Sequence, residues 1–320
     1  MSTAIATALP AASPATRTAR PSFPGILQGE LFKITRQRTT WIVTALLACF
    51  IAGPNLLYLA GRGIKEGVQT DPLSALYLVS QRDLQVLRVF GGFFLLLITA
   101  LVIGQEYQLG TIRILLGRGV GRLQLLGAKT LALAIVALVV VVGALLIDVA
   151  GATIDLLILT GNLNAFSAAT AQFWADTWMY VVSVLVSMGA TLLLGVAANV
   201  VGRSLAFGLG VGLSWFPADN IGSVVLALIA AFTNNTFWSN LNGYFLGPVL
   251  NIFPSLIVAP RVATIIGEKG PQTGLKPASA LGITPLSTID ATHAWLVIGG
   301  YCLVFAVVSI VLTMRRDVLE

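Results

Sequence analysis

Long apolar runs alternate with shorter polar connections along the chain, and six of the runs lie near residues 41–60, 86–105, 123–147, 178–201, 204–232 and 294–314. Each is about 20 residues or more, which at about 1.5 Å per residue is the helix length needed to cross the hydrocarbon of a bilayer. A helix satisfies its backbone N–H and C=O groups internally, as lipid requires. The pattern therefore predicts an all-α, polytopic membrane protein with six transmembrane helices.

The connections carry structure of their own. In the fifth run "SLAFGLGVGLSWF" is too short to cross alone, "PADN" intervenes, and "IGSVVLALIAAF" resumes. Pro217 removes a backbone hydrogen bond there, which predicts one long helix broken at that point. Between the fifth and sixth runs, "LNGYFLGPVLNIFPSLIVAP" is half apolar but interrupted by Pro248 and Pro254. It predicts an outer re-entrant or interfacial helical hairpin rather than a seventh span. Ahead of the first run, "GILQGELFKITRQRTTW" sets Ile26, Leu27, Leu31 and Ile34 on one side and Glu30, Lys33, Arg36 and Arg38 largely on another. That is an amphipathic helix suited to the headgroup layer. Residues 1–24, rich in Ala, Thr, Ser and Pro, lack the apolar core of a signal peptide and read as a disordered cytosolic tail, leaving residues 25–320 as one membrane domain.

Composition agrees with this class: 57% of residues are hydrophobic and 10% charged, and the mean hydropathy is +0.90. Cys49 and Cys302 both lie inside apolar runs and supply neither a disulfide framework nor a metal cluster. The lone His293 is expected to serve packing. Charge sets the orientation: with the N-terminus inside, twelve of the nineteen Lys and Arg fall on inner segments, as the positive-inside rule requires, and both termini are cytosolic. Of the acids, Asp148, Asp155 and Asp176 are expected to be solvated at the outer ends of the third and fourth spans. Asp219, with Asn220 beside it at the break in the fifth span, is the candidate for a translocation path. Gly208, Gly210 and Gly212 form a small-residue strip for close helix packing.

The most informative polar stretch is "GQEYQLGTIRILLGRGVGRLQLLGAKT", residues 104–130. It is not a nucleotide loop. A P-loop needs a Gly directly followed by Lys and Ser or Thr after a strand, whereas Ala128 separates Gly127 from Lys129 and a membrane helix is starting there. Instead Ile112, Leu115 and Leu116 make an apolar side; Arg113 falls between them, and Arg118 and Arg122 follow at about one-turn spacing. A short surface helix is predicted, with a Gly-rich bend at Gly117, Gly119 and Gly121 before the third span.

This stretch resembles the segment between the second and third spans of ABC-2 type transporter permeases. In that family a Glu ends the second helix, Gly-Thr and a short coupling helix follow, then an Arg, and a Lys opens the third helix. The matching positions are Glu106, Gly110, Thr111, Arg122 and Lys129. The N-terminal helix with its "RQR", the six spans, the outer hairpin and the "MRRDVLE" end extend the likeness over roughly residues 25–320. The resemblance implies a permease subunit of an ATP-driven exporter in a prokaryotic inner membrane. It implies two separate ATPase subunits that bind ATP and Mg, a second permease copy or a related one, and coupling through residues 106–129. No cofactor in this chain and no nucleic-acid partner are expected. An ion-coupled carrier or channel is the alternative, for which inverted repeats and a midplane charge cluster would be needed and are not visible. An intramembrane enzyme would need paired carboxylates, a Ser–His pair or a metal cluster at membrane depth, and the sequence shows none.

Overall fold

The computed structural model describes residues 21–59, 68–258 and 289–315; residues 1–20 of the expected tail over residues 1–24 and the polar part of the outer connection lie outside them. The described residues form helices and no strand. Helix α1 is Phe23–Arg36 and α2 is Arg38–Leu59. Helix α3 runs over Pro72–Gln108, with a π-turn at Ala100–Gly104. The short α4 is Thr111–Gly117, α5 is Arg122–Thr160, α6 is Ala171–Gly202 and α7 is Leu205–Thr233. Two further short helices, α8 (Thr236–Asn242) and α9 (Leu246–Ile257), precede α10 (Ala291–Arg315).

Five of these helices, α3, α5, α6, α7 and α10, are long and apolar enough to cross a membrane, and α2 is apolar over the shorter stretch Arg38–Gly53. Several exceed the predicted spans. α3 begins at Pro72, not near residue 86, because Asp71 accepts from the Ser74 N–H and Pro72 opens the helix, a start signal that holds whatever the hydropathy of the next turns. Likewise α5 continues to Thr160, where Gly161 in the left-handed region (φ 73°) ends it.

α3 and α6 are the central pair. Leu87, Leu95 and Ile98 of α3 meet Val184, Met188 and Val196 of α6 in one apolar core, and α9 inserts Leu246, Val249, Leu250 and Phe253 into a second core shared with α6 and α10. The expected re-entrant element is thus a buried helix, capped at its turn by His293 of α10, whose Nε2 lies 2.9 Å from the Gly243 carbonyl oxygen. Outward faces are apolar as well: Val139, Val142 and Leu146 of α5, Val224 and Phe232 of α7 and Leu296 and Leu303 of α10 are exposed. In water such a surface would drive aggregation; against lipid tails it carries no penalty.

Two sequence expectations are corrected. The fifth span is not broken: α7 is continuous through Pro217. Proline removes one helical hydrogen bond, and the polar residues after it find partners without unwinding. Asn220 donates to the Phe216 carbonyl at 2.7 Å, and Asp219 accepts from the Gly247 N–H at the start of α9. Nor are the outer acids solvated. Asp148, Asp155 and Asp176 are only 9%, 3% and 4% exposed, because the lengthened α3, α5 and α6 close over them.

The glycine strip of α7 divides by face. Gly208 and Gly212 are buried and Gly210 is exposed. A Cβ on Gly208 would lie 1.9 Å from Asn199 Oδ1 of α6, and one on Gly212 would lie 3.1 Å from Leu96 of α3, whereas one on Gly210 would meet nothing within 4 Å. The packing is within the chain. Gly208→Ala is expected to destabilise by about 1–3 kcal/mol through overpacking. Gly210→Ala should be neutral or stabilising by up to about 1 kcal/mol, the helix-propensity gain. Thermal unfolding of the two variants in detergent checks the difference, and equal effects would contradict the packing described.

Candidate functional site

At the end of the bundle where α1, α4 and the last turn of α10 meet, the sequence folds the 104–130 stretch into a compact elbow. The π-turn closes with the Gln105 N–H bonded to the Ala100 carbonyl; such one-residue excesses recur at functional sites because they re-aim the side chains that follow. Gly104 must be small there, since a Cβ would sit 2.3 Å from Asn199 Oδ1 and 3.0 Å from Leu205 Cα. After one more turn, Gly110 takes the left-handed conformation (φ 69°) that starts α4, and Gly119 (φ 84°) turns the chain toward α5. Thr111 Oγ1 donates to the Glu106 carbonyl at 3.3 Å.

The predicted amphipathicity of α4 is what seats it. Ile112, Val120 and Leu125 form a small apolar cluster against Ile26 of α1 and Tyr107 of α3, while Arg113, Arg118 and Ile114 are exposed. Arg122 is not on this free face; its Nη1 donates to the Met314 carbonyl of α10 at 3.2 Å, tying the elbow to the C-terminal helix. The elbow therefore presents a short basic and apolar ridge to the outside and is held by α1, α3, α5 and α10 from within.

Beneath it lie four charges drawn from three helices. Lys129 Nζ of α5 is 2.8 Å from Glu30 Oε2 of α1 and 2.7 Å from Glu106 Oε2 of α3. Lys33 of α1 bonds Glu30 Oε1 at 3.0 Å and also pairs with Glu106 Oε1. Lys129 and Glu30 are 2% and 4% exposed, whereas the Lys33 side chain is 51% exposed. The cluster has two positive and two negative members, so each buried charge is compensated. Lys129 adds a 3.4 Å contact to the Val102 carbonyl beside the π-turn.

Glu30 was expected on the polar face of an interfacial helix; instead it and Ile34 are the buried residues of α1. Glu30 and Ile34 are four residues apart and share a face, and on that face the carboxylate meets Lys129. Arg36 stays on the exposed side over the Phe32 ring, 5.2 Å from its centroid, and Arg38 belongs to the first turn of α2. Sequence reasoning put Glu30 and Lys33 in one element and Glu106 and Lys129 in another. The available signal was the equal count of two acids and two lysines beside apolar helix ends.

Burial of the Lys33 stem acts to lower its pKa, but the Glu106 hydrogen bond and charge, then those of Glu30, outweigh it and hold the ammonium above its ordinary 10.5. The raised value means this pairing is fully present below pH 10.5 and is lost only as pH rises through the higher folded value. The Lys33 links thus persist at neutral pH.

Asp219 and Asn220, the candidate path residues, lie away from this cluster, near the opposite end. There Arg88 of α3, 4% exposed, bonds the Leu250 carbonyl and, at 3.1 Å, Asn251 Oδ1, and Asn251 in turn donates to Asn220 Oδ1 at 3.0 Å. This polar chain, which the sequence reading missed in Arg88, fastens α9 between α3 and α7. It borders a cavity of about 350 Å³ that includes Asn220, Ser187 and Thr191.

A family model described as ABC-2 family transporter protein matches residues 25–318. Comparison with curated proteins gives no match.

Lys129→Met should cost about 3–5 kcal/mol, because it leaves the Glu30 and Glu106 carboxylates buried without their shared cation. Lys33→Met, at a half-exposed position, should cost no more than about 1 kcal/mol. Denaturant unfolding in micelles measures both, and equal losses would show that the buried lysine is not what holds α1, α3 and α5 together.

Proposed function

The chain belongs to the ABC-2 transporter family, and from that premise we propose that it is the membrane-spanning permease subunit of an ATP-driven exporter in a prokaryotic inner membrane, driven through the elbow at residues 104–130. The observation that carries the proposal is the mechanical one. An exposed seven-residue helix, α4, is joined on one side to α3 and on the other to α5, and the roots of both connections are bound to α1 by the Glu30, Lys33, Glu106 and Lys129 cluster. A push on α4 is then delivered to three helices together, not absorbed by a loose loop.

In this reading α2, α3, α5, α6, α7 and α10 are the six spans, and both termini and α4 are cytosolic. Two separate ATPase subunits bind ATP and Mg and receive α4 in a cleft, with Arg113, Arg118, Ile114 and Leu109 as the contact surface. A second permease copy or a related permease completes the assembly. Glu106 and Lys129 transmit rather than dock, since both are buried. A switch of this kind needs an element with two packings and a ligand that favours one; closure of the ATPases on ATP would supply the bias.

The test separates docking from transmission. Tagged protein purified in mild detergent is expected to bring down a P-loop ATPase. Arg113→Glu should release it, because the net positive charge of the exposed ridge is cancelled while the buried cluster is untouched. Glu106→Gln should retain the ATPase but lower ATP-driven transport by about tenfold or more, as loss of a buried charge contact does. A stable wild-type preparation that brings no ATPase would overturn the proposal.

A further inference from the structure

At the end of the bundle remote from the elbow, α3, α5 and α6 enclose a cavity of about 110 Å³ whose wall is mostly apolar, with Leu76, Val79, Leu145 and Phe173 among its residues. Four side chains on the same wall carry shielded oxygens with no hydrogen-bond partner: Asp148 Oδ1, Asp155 Oδ2, Ser80 Oγ and Thr177 Oγ1. Neither Asp148 nor Asp155 forms a salt bridge among the described residues. The neighbouring charges are already engaged. Asp83 is bound by Arg82 at 3.0 Å and by Asn55 at 2.9 Å, and Asp176 accepts from Tyr77 and Gln172, each at 2.8 Å. Asp148 also faces Asp83 within hydrogen-bonding reach, where two carboxyl groups can bond only by sharing a proton, and the Arg82 charge acts on both Asp148 and Asp155, so three acids share one guanidinium at that end of the cavity.

Buried carboxyl oxygens without a donor are costly, and three acids served by one guanidinium call for a ligand that supplies N–H donors and further positive charge. A metal ion does not fit, because no group of three or more possible ligands among the described residues is placed to hold one. An anion is repelled. The spacing narrows the choice further. Asp148 and Asp155 are two helical turns apart on one face of α5, about 10 Å along the axis, and Ala152 lies between them on the cavity wall. The site is therefore acidic at two points and apolar between them, with a small side chain leaving room for a thin chain.

We infer that this cavity binds a slender linear diamine, one ammonium at Asp148 and Ser80, the other toward Asp155, with the methylene chain lying over Ala152. Binding requires neither an ATPase partner nor the exporter reading. It gives each ammonium an acidic acceptor and gives the chain apolar contacts, the division of labour usual in small-molecule pockets.

Isothermal titration of the purified full chain in detergent tests it with cadaverine, pentylamine and pentanol, which share a chain length and differ in charge. Cadaverine is expected to bind, pentylamine about tenfold or more weakly, and pentanol not at all. Asp155→Asn should reduce cadaverine affinity about thirtyfold or more, the cost of removing one partner of a buried charge pair. Ala152→Leu should abolish binding by filling the middle of the cavity while both carboxylates remain. Thermal unfolding without amine establishes that each variant is folded. If a variant does not fold, the comparison of the three probes on the unaltered protein still decides. No heat with cadaverine, leaving water as the cavity's occupant, overturns the inference. So does equal binding of cadaverine and pentylamine, or unchanged cadaverine binding in folded Asp155→Asn or Ala152→Leu protein.

Discussion

Lys129 is the charge on which the arrangement turns. It is fixed near the start of α5, 2% exposed, and a lone ammonium there would be among the costliest groups in the chain. Glu30 and Glu106 make its burial tolerable, and in doing so they commit α1 and the end of α3 to fixed positions. Lys33 then balances the second carboxylate. The cluster contributes more to specificity of arrangement than to net stability, because desolvating four charges offsets most of their mutual attraction. What it secures is register: a slip of one residue in α1 would carry Glu30 off the buried face and leave Lys129 with one partner.

From that anchor the bundle extends through a different physics. α3 and α6 pack along their length by side-chain interdigitation, with close approach at Gly195, where a Cβ would lie 3.2 Å from Thr99. Lipid gives no hydrophobic reward for bringing helices together, so tight packing and polar stitches must do it. The stitches collect at both ends. One set is the charge cluster; the other joins Tyr77 to Asp176, Tyr180 to Gln85 and Arg88 to α9. Lys129 and Asp148 are nineteen residues apart on α5, roughly 28 Å of helix, so the polar groups bracket a span close to the hydrocarbon thickness.

The two ends differ in what their charges leave over. At the elbow, acids and lysines balance, and the exposed chemistry is the ridge of α4. At the far end, carboxylates exceed their partners, and the remainder faces a cavity. The two ends are joined by the long helices α3 and α5.

The sequence by itself determined the class, the helices, the short helix of the elbow and the membership of residues 25–318 in the ABC-2 family, because apolar run length and local motifs are properties of neighbouring residues. It also made Glu106 and Lys129 conspicuous as charges at apolar helix ends. Only the tertiary structure decided that Glu30 leaves the polar face of α1 to join them, that α7 runs on through Pro217, and that Asp148 and Asp155 are enclosed. Each depends on what a distant segment supplies: a buried cation for Glu30, the Gly247 N–H for Asp219, and the added turns of α3 and α6 over the outer acids. Hydropathy averages over a window and cannot register a partner seventy or a hundred residues away, whereas burial of a charge is determined by that partner alone.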